Sequence, residues 1–353
     1  MEVHVAAPAD HVWAPPAFSV SEIEKQGFVF HPIPLSRRGT NPFTELRTVL
    51  ALWWLYRRVK PAVVHHLTIK PNLYGGIAAR IAGVPSVIFS VTGLGQIFVG
   101  KGIPAMVRKH LVIALMRLAM GHANSRVIFQ NPTDRDELVG RKIVRASAAR
   151  VILGSGVDVQ RFHPTVAAEA KEPIIVLCAR LIWEKGVGEF VEAARALRHQ
   201  GVVARFALVG DTNPTNPHSV PRETLEEWVG EKVIEWWGFR QDMEGVLAES
   251  HVVCLPSTYG EGVPKILLEA AASGRPIITT DIAGCREAVD DGVSGLLVPP
   301  DDPTALASAL ATLIDDPQLR AKMGAASRKL AEKKFDDRAT AAKTLLVYDE
   351  LNQ

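Results

Sequence analysis

Six short apolar runs, each closed by a loop marked with glycine or proline and followed by a stretch able to form a helix, recur through the second half of the chain. They are Ile174–Ala179, Ala204–Val209, Val233–Trp236, Val252–Leu255, Ile277–Thr280 and Gly295–Val298. Short Val/Ile/Leu runs spaced by helical lengths demand a parallel sheet with helices on both faces, because parallel neighbours need a crossover between them. The first half repeats the pattern more loosely. Val3–Ala6, Val29–Ile33, Ala62–His65, Ser86–Ser90 and Val127–Phe129 read as strands, and Glu45–Val59, Pro71–Ile81 and Pro104–His122 as helices. With 353 residues and 47% hydrophobic side chains the chain can bury two such cores. The expectation is an α/β protein of two doubly wound domains facing a cleft. Residues 1–163 form the first and 172–335 the second, the stretch from Phe162 to Pro173 links them, and 336–353 is a terminal helix packing back on the first domain. A doubly wound domain ordinarily opens with a strand and a glycine-rich turn. Here Met1-Glu-Val-His-Val-Ala-Ala-Pro8 already reads as a second strand, so the first strand and helix are expected to be missing.

The segment with most chemistry is Glu261-Gly-Val-Pro-Lys-Ile-Leu-Leu-Glu269. Pro264 suits a first helical position, which leaves Glu261 in the loop and Glu269 in an early turn. Free amides at Gly262, Val263, Lys265 and Ile266 would then face outward, and the helix dipole draws a phosphate to them. Two carboxylates beside a phosphate site make sense if the ligand carries hydroxylated rings on either side, since ionised carboxylates are pure acceptors. A nucleoside diphosphate sugar has that layout. The Ser257–Gly262 loop follows an apolar strand, at the strand end where open α/β sheets bind ligands. Taken alone, the segment also fits an amphipathic helix with two solvated glutamates.

Charge divides the chain. Residues 1–165 carry 20 basic and 9 acidic side chains, whereas 166–353 carry 20 and 29. The basic half implies an anionic partner: nucleic acid, a phospholipid surface or a phosphorylated acceptor. Its basic residues are interleaved with long apolar stretches rather than with stacking aromatics on strands, which argues against nucleic acid. The longest apolar run, Leu111 to Met120, is interrupted by Arg117 and too short to span a bilayer. Leu46–Lys60, with Trp53, Trp54, Tyr56, Arg57, Arg58 and Lys60, and Lys101–Arg117 fit an anionic bilayer surface, although Trp53 and Trp54 fit a core-facing stripe equally well. Cys178, Cys254 and Cys285 lack metal-ligand spacing and read as buried, reduced thiols. Asp290-Asp291 and Asp301-Asp302 adjoin glycine or proline and read as loop carboxylates, not metal ligands.

The second half as a whole resembles the retaining glycosyltransferases of family 4, which have the GT-B fold. The matching pieces are Gly154-Ser-Gly-Val-Asp158 with Phe162, Ala179-Arg-Leu-Ile-Trp-Glu-Lys-Gly186, Leu208-Val-Gly210, the E-x7-E segment, Thr279-Thr-Asp281, Gly284-Cys-Arg-Glu287 and Gly292-Val-Ser-Gly-Leu-Leu-Val298. In the first half, His65-His-Leu-Thr-Ile-Lys-Pro71 and Thr92-Gly-Leu-Gly95 resemble the branch that builds bacterial surface glycans on polyprenyl-diphosphate carriers. The resemblance implies that Arg180 and Lys185 hold the donor diphosphate, Glu261 the transferred sugar and Glu269 the ribose, with Gly210 and the amides of residues 262–266 in the donor set. Thr92 and Gly93 shape the acceptor pocket, where many relatives have a histidine in place of Thr92. Lys70, His65 and His66 close the acceptor side, although a histidine at a strand end also fits a hydrogen-bonded structural role. The implied activity is transfer of a hexose or N-acetylhexosamine from a nucleotide sugar, UDP-linked by preference, to a lipid-linked saccharide in cell-surface polysaccharide synthesis. No cofactor or metal is implied, and the implied place is the cytoplasm, at the cytoplasmic face of the membrane. Rival readings are a nucleotide-sugar epimerase of the same architecture and an inactive remnant that still binds nucleotide sugar.

Overall fold

The computed structural model describes residues 2–8, 20–35, 41–95, 103–165 and 172–351. Lys101 and residues 166–171 of the expected linker lie outside that set. The first body contains β1 (His4–Ala7), α1 (Val20–Lys25), β2 (Val29–Pro32), α2 (Pro42–Val59), β3 (Val63–Leu67), α3 (Ile69–Ala82), β4 (Ser86–Val91), α4 (Ile103–Met120), β5 (Ser125–Phe129), α5 (Pro132–Gly140) and β6 (Ala149–Val151). Among the described residues its strands fall into two sheets, β1 beside β2 and β3-β4-β5-β6, all neighbours parallel. The single sheet expected for this half is thus divided. β2 ends at Pro32, which has no N–H to extend a ladder.

The second body contains β7 (Ile174–Cys178), α6 (Val187–His199), β8 (Arg205–Val209), α7 (Arg222–Gly230), β9 (Glu235–Gly238), α8 (Met243–Glu249), β10 (Val252–Leu255), α9 (Lys265–Ala272), β11 (Ile277–Thr280), β12 (Gly295–Val298), α10 (Pro303–Asp315) and α11 (Pro317–Lys334). Its parallel sheet has the order β12-β11-β10-β7-β8-β9. Strand β9 starts two residues later than the apolar run. Lys232, at φ 60°, closes a left-handed turn in which Val233 N–H bonds the Trp228 carbonyl, so Val233 and Ile234 are buried before pairing with β8 begins. Side-chain alternation along β7 shows why its run is wholly apolar. Ile175 and Leu177 enter the core under α6 and α10, while Ile174, Val176 and Cys178 enter the core shared with α8 and α9. Burying each large side chain contributes roughly 1.5–3 kcal/mol.

A last helix, α12 (Asp337–Asp349), returns to the first body. Val347 and Leu351 pack with Ile88, Ile128 and Ile152, on the face of β4 opposite Val87, Phe89 and Val91. Arg126 and Arg150 each reach the Glu350 carboxylate at 2.6 Å and, with hydrogen bonds from both, hold it at about 2. The chain therefore crosses between the bodies twice. The two crossings touch, with Val157 N–H donating to Phe335 O at 2.8 Å and Asp337 N–H to Val157 O at 3.1 Å.

Candidate functional site

In the second sheet the chain runs outward from β7 to β8 and β9, then returns to lay β10 on the other side of β7. The crevice beyond the carboxyl ends of β7 and β10 is the topological switch point of such a sheet, where ligands bind. Residues 179–186 leave β7 there and residues 256–262 leave β10. Gly186, at φ 73°, lies against the Pro256 backbone, and any Cβ would overlap the Pro256 carbonyl. Thr258 N–H donates to Glu184 O at 3.0 Å, stitching the loops together.

That packing sets an ion pair between Lys185 Nζ and Glu261 Oε2, with side chains 11% and 12% exposed. Ser257 Oγ donates to the other Glu261 oxygen at 2.6 Å. Arg180 is exposed; its carbonyl accepts the Ile182 N–H at 2.8 Å, while among the described residues no ion pair or hydrogen bond engages its guanidinium. Its charge acts on Tyr259, as do those of Glu261 and Glu184. The Tyr259 hydroxyl is pushed up to about 12, chiefly by burial. Gly210, at φ 146°, follows β8, and its backbone lies too close to the Ala179 carbonyl to admit a Cβ.

Pro264 is the cap residue of α9 and Lys265 the first helical one, one position later than the sequence suggests. The Gly262 amide is not free: it donates to Thr92 O at 3.1 Å. Among the described residues the amides of Val263, Lys265 and Ile266 have no acceptor. Glu269 is buried one turn into α9, with Lys265 at 3.7 Å. Burial holds its carboxyl above the ordinary range, opposed by the charges of Lys265 and Arg161. Its charge also acts on the Cys178 thiol at the end of β7, two residues before Arg180.

On the first body, Thr92 and Gly93 face the Glu261–Gly262 backbone across the cleft. A Cβ on Gly93 would stand 2.5 Å from Gly262 N. The histidines belong to the interior. His65 bonds Tyr348 at 2.9 Å and Ser90 at 2.7 Å, and burial lowers it to about 4. His66 is buried against Phe89, bonds Tyr56 at 3.0 Å and is lowered to about 3. Both rings are engaged in hydrogen bonds within the fold, the structural role open to a histidine at a strand end. Lys70 pairs with Glu45 at 2.8 Å beside Tyr74, so its charge is already engaged.

Four residues that the sequence reading passes over belong here: Ser257 and Tyr259 on the loop, Arg161 near Glu269, and Asn131 at the domain contact. Only Asn131 carries a local signal, as an Asn-Pro helix start. The three thiols are buried, and burial raises all of them. Asp302 caps α10 through Ala305 N–H at 2.9 Å, and Asp291 accepts from Leu297 N–H at 2.9 Å.

Two family models match most of the chain between them. Glycosyl transferase 4-like covers residues 2–131, and Glycosyl transferases group 1 covers residues 172–316. The chain is 28% identical over 328 residues to N,N'-diacetylbacillosaminyl-diphospho-undecaprenol alpha-1,3-N-acetylgalactosaminyltransferase of Campylobacter jejuni, covering 90% of this chain and 84% of that one. It is 27% identical over 296 residues to UDP-Gal:alpha-D-GlcNAc-diphosphoundecaprenol alpha-1,3-galactosyltransferase of Escherichia coli, covering 80% and 74%. Among solved structures, Anabaena Alr3699/HepE in complex with UDP has the same fold, with a TM-score of 0.76, 20% identity, and coverage of 98% and 99%. With strand-by-strand α/β architecture in two bodies, the chain belongs to the family 4-like, group 1 glycosyltransferases of GT-B fold.

Proposed function

We propose that this glycosyltransferase moves a hexose or N-acetylhexosamine, with retained anomeric configuration, from a UDP-sugar to a hydroxyl of a polyprenyl-diphosphate-linked saccharide. The observation that carries the reading is the Lys185–Glu261 pair at the switch point, with the exposed Arg180 guanidinium, unpaired among the described residues, on the same loop as Lys185. An ammonium has three donors, so Lys185 can keep Glu261 and still meet two phosphoryl oxygens. Glu261 retains lone pairs for sugar hydroxyls. Arg180 adds a planar fork for the diphosphate, and the amides of Val263, Lys265 and Ile266 add donors at a helix start. Glu269 takes the ribose hydroxyls, and Gly210, lacking a Cβ, lets the loop after β8 pack directly on the Ala179 carbonyl where the β7 loop begins. The leaving phosphate stays on the face that the acceptor attacks and accepts its proton, so no protein nucleophile is needed and the cations stabilise the departing charge. Thr92 and Gly93 border the acceptor. The undecaprenyl-diphosphate-linked acceptors named for both relatives support the acceptor class.

Incubating the protein with UDP-sugars and a short polyprenyl-diphosphate-linked saccharide should give one elongated lipid-linked product and UDP. Conversion of the donor to an epimer without acceptor would overturn the transferase reading in favour of the epimerase.

A lipid-borne acceptor also calls for a membrane face. Among the described residues no helix is long and apolar enough to cross a membrane. On α2, Phe43, Leu46, Leu50 and Trp54 form an exposed stripe at helical spacing, while Trp53 packs toward the core and Tyr56 is buried. Arg47, Arg57, Arg58 and Lys60 flank the stripe, and Met106, Leu111 and Leu118 are exposed on α4. This is the composition of an interfacial helix on an anionic leaflet. The protein should co-sediment with anionic vesicles at low salt, and Trp54→Ala combined with Arg57→Glu should cut the bound fraction at least fivefold. Equal binding to neutral and anionic vesicles, or none to either, removes the membrane claim.

A further inference from the structure

Asn131 has no exposed surface and lies where the two bodies meet. As the cap of α5 it needs only an acceptor oxygen, and Oδ1 takes the Asp134 N–H at 2.7 Å. Its amide nitrogen does something capping does not require. Nδ2 donates to Asp134 Oδ2 at 3.0 Å and, across the domain boundary, to the Glu261 carbonyl at 3.1 Å. The buried Asp134 carboxylate also accepts the Leu94 N–H. A continuous relay therefore runs from Leu94 through Asp134 and Asn131 to Glu261. Beside it Gly262 N–H bonds Thr92 O, and the loops approach so closely that a Cβ on Gly262 would stand 2.6 Å from that carbonyl. A Cβ on Gly284, from behind, would overlap the Gly262 carbonyl. The residue paired with Lys185 is thus fixed through its own backbone to the opposite wall of the cleft.

We infer that Asn131 and Asp134 are positioning residues: they lock the Thr92–Leu94 loop to the Glu261 backbone and so keep the acceptor wall and the donor wall of the cleft in one register. This rests on the donor site proposed above. A buried, doubly bonded amide is over-specified for a helix cap, since serine or aspartate would cap α5 as well. The Nδ2 bond across the boundary is what asparagine alone supplies, and Asp134 orients it while holding Leu94.

Asn131→Ser keeps an acceptor for the Asp134 amide but is too short to reach Glu261. Asn131→Asp keeps both the shape and the cap, yet loses the donor. Three measurements apply to each variant: UDP affinity by calorimetry, kcat with saturating donor and acceptor, and hydrogen exchange at the Gly262 amide. The expected result is UDP affinity within about twofold of the wild type, kcat lower by about tenfold, the weight of one buried hydrogen bond, and faster exchange at Gly262. Wild-type kcat together with unchanged Gly262 exchange would overturn the inference. So would UDP affinity falling in step with kcat, which would make Asn131 a residue of fold stability. Failure of the wild type to bind UDP would instead sink the donor site. The exchange comparison at Gly262 would still read the relay.

Discussion

Lys185→Ala is expected to lower kcat by about two to three orders of magnitude, the usual loss when one preorganised charge is removed from a developing anion. Donor binding should weaken less than turnover, because charge on the leaving diphosphate grows toward the transition state. The same change strands Glu261. With both side chains nearly enclosed, removing one partner leaves a carboxylate bonded only by Ser257 and costs about 3 kcal/mol of stability. Stability and catalysis can be separated with a double variant, Lys185→Met with Glu261→Gln, which removes both charges. Its melting temperature should recover toward that of the wild type while activity stays low. A kcat for Lys185→Ala within a few-fold of the wild type would refute the assignment.

Glu269→Gln should move stability and binding in opposite directions. Because burial raises this carboxyl in the folded protein, the native state binds the proton more tightly than the unfolded chain does. Ionisation therefore costs stability as pH rises from the ordinary carboxylate range through the raised value, and the whole deficit is present above it. Glutamine carries no such deficit. The variant should melt higher than the wild type at neutral pH and converge with it in acid. UDP affinity should fall by about 10- to 100-fold, since bonds from ribose hydroxyls to a desolvated carboxylate are charge-assisted. Melting curves at pH 4 and pH 7.5, with titration of UDP, check both halves. Equal melting at both pH values with unchanged UDP affinity would remove Glu269 from the donor site. The trade is a familiar property of binding residues held in unfavourable surroundings.

Legibility from sequence followed burial. β10, β11 and β12 lie on the residues expected for them: β10 is covered on both faces and wholly apolar, β11 ends in two buried threonines whose hydroxyls bond Leu255 O and Ser257 O, and the edge strand β12 keeps a short apolar run. β6, Ala149-Arg-Val151, has no such run and exists through its pairing with β5, so nothing local announces it. Strand order is likewise invisible in a linear pattern, yet the return of β10 to the side of β7 is what brings residues 179–186 to residues 256–262. At the site, glycine and proline reveal the loops because the backbone there takes conformations or approaches closed to other residues. The surroundings of the histidines are hidden in the sequence for a related reason. A polar pair ending a strand reads as a cleft feature, but here it satisfies Tyr56, Ser90 and Tyr348 inside the body. Asn131 is legible as a cap and opaque as a cross-domain donor, since its acceptor lies 130 residues away in the chain.

The paired crossings at Val157 and at Phe335–Asp337 restrict how the enzyme can breathe. Two covalent tethers bonded side by side act as the spine of a book: they permit swinging about one axis and resist sliding or twisting of one half against the other. Any parting of the two halves for substrate is then expected to be widest at the margin far from residues 157 and 335–337, with the facing loops meeting again in one register.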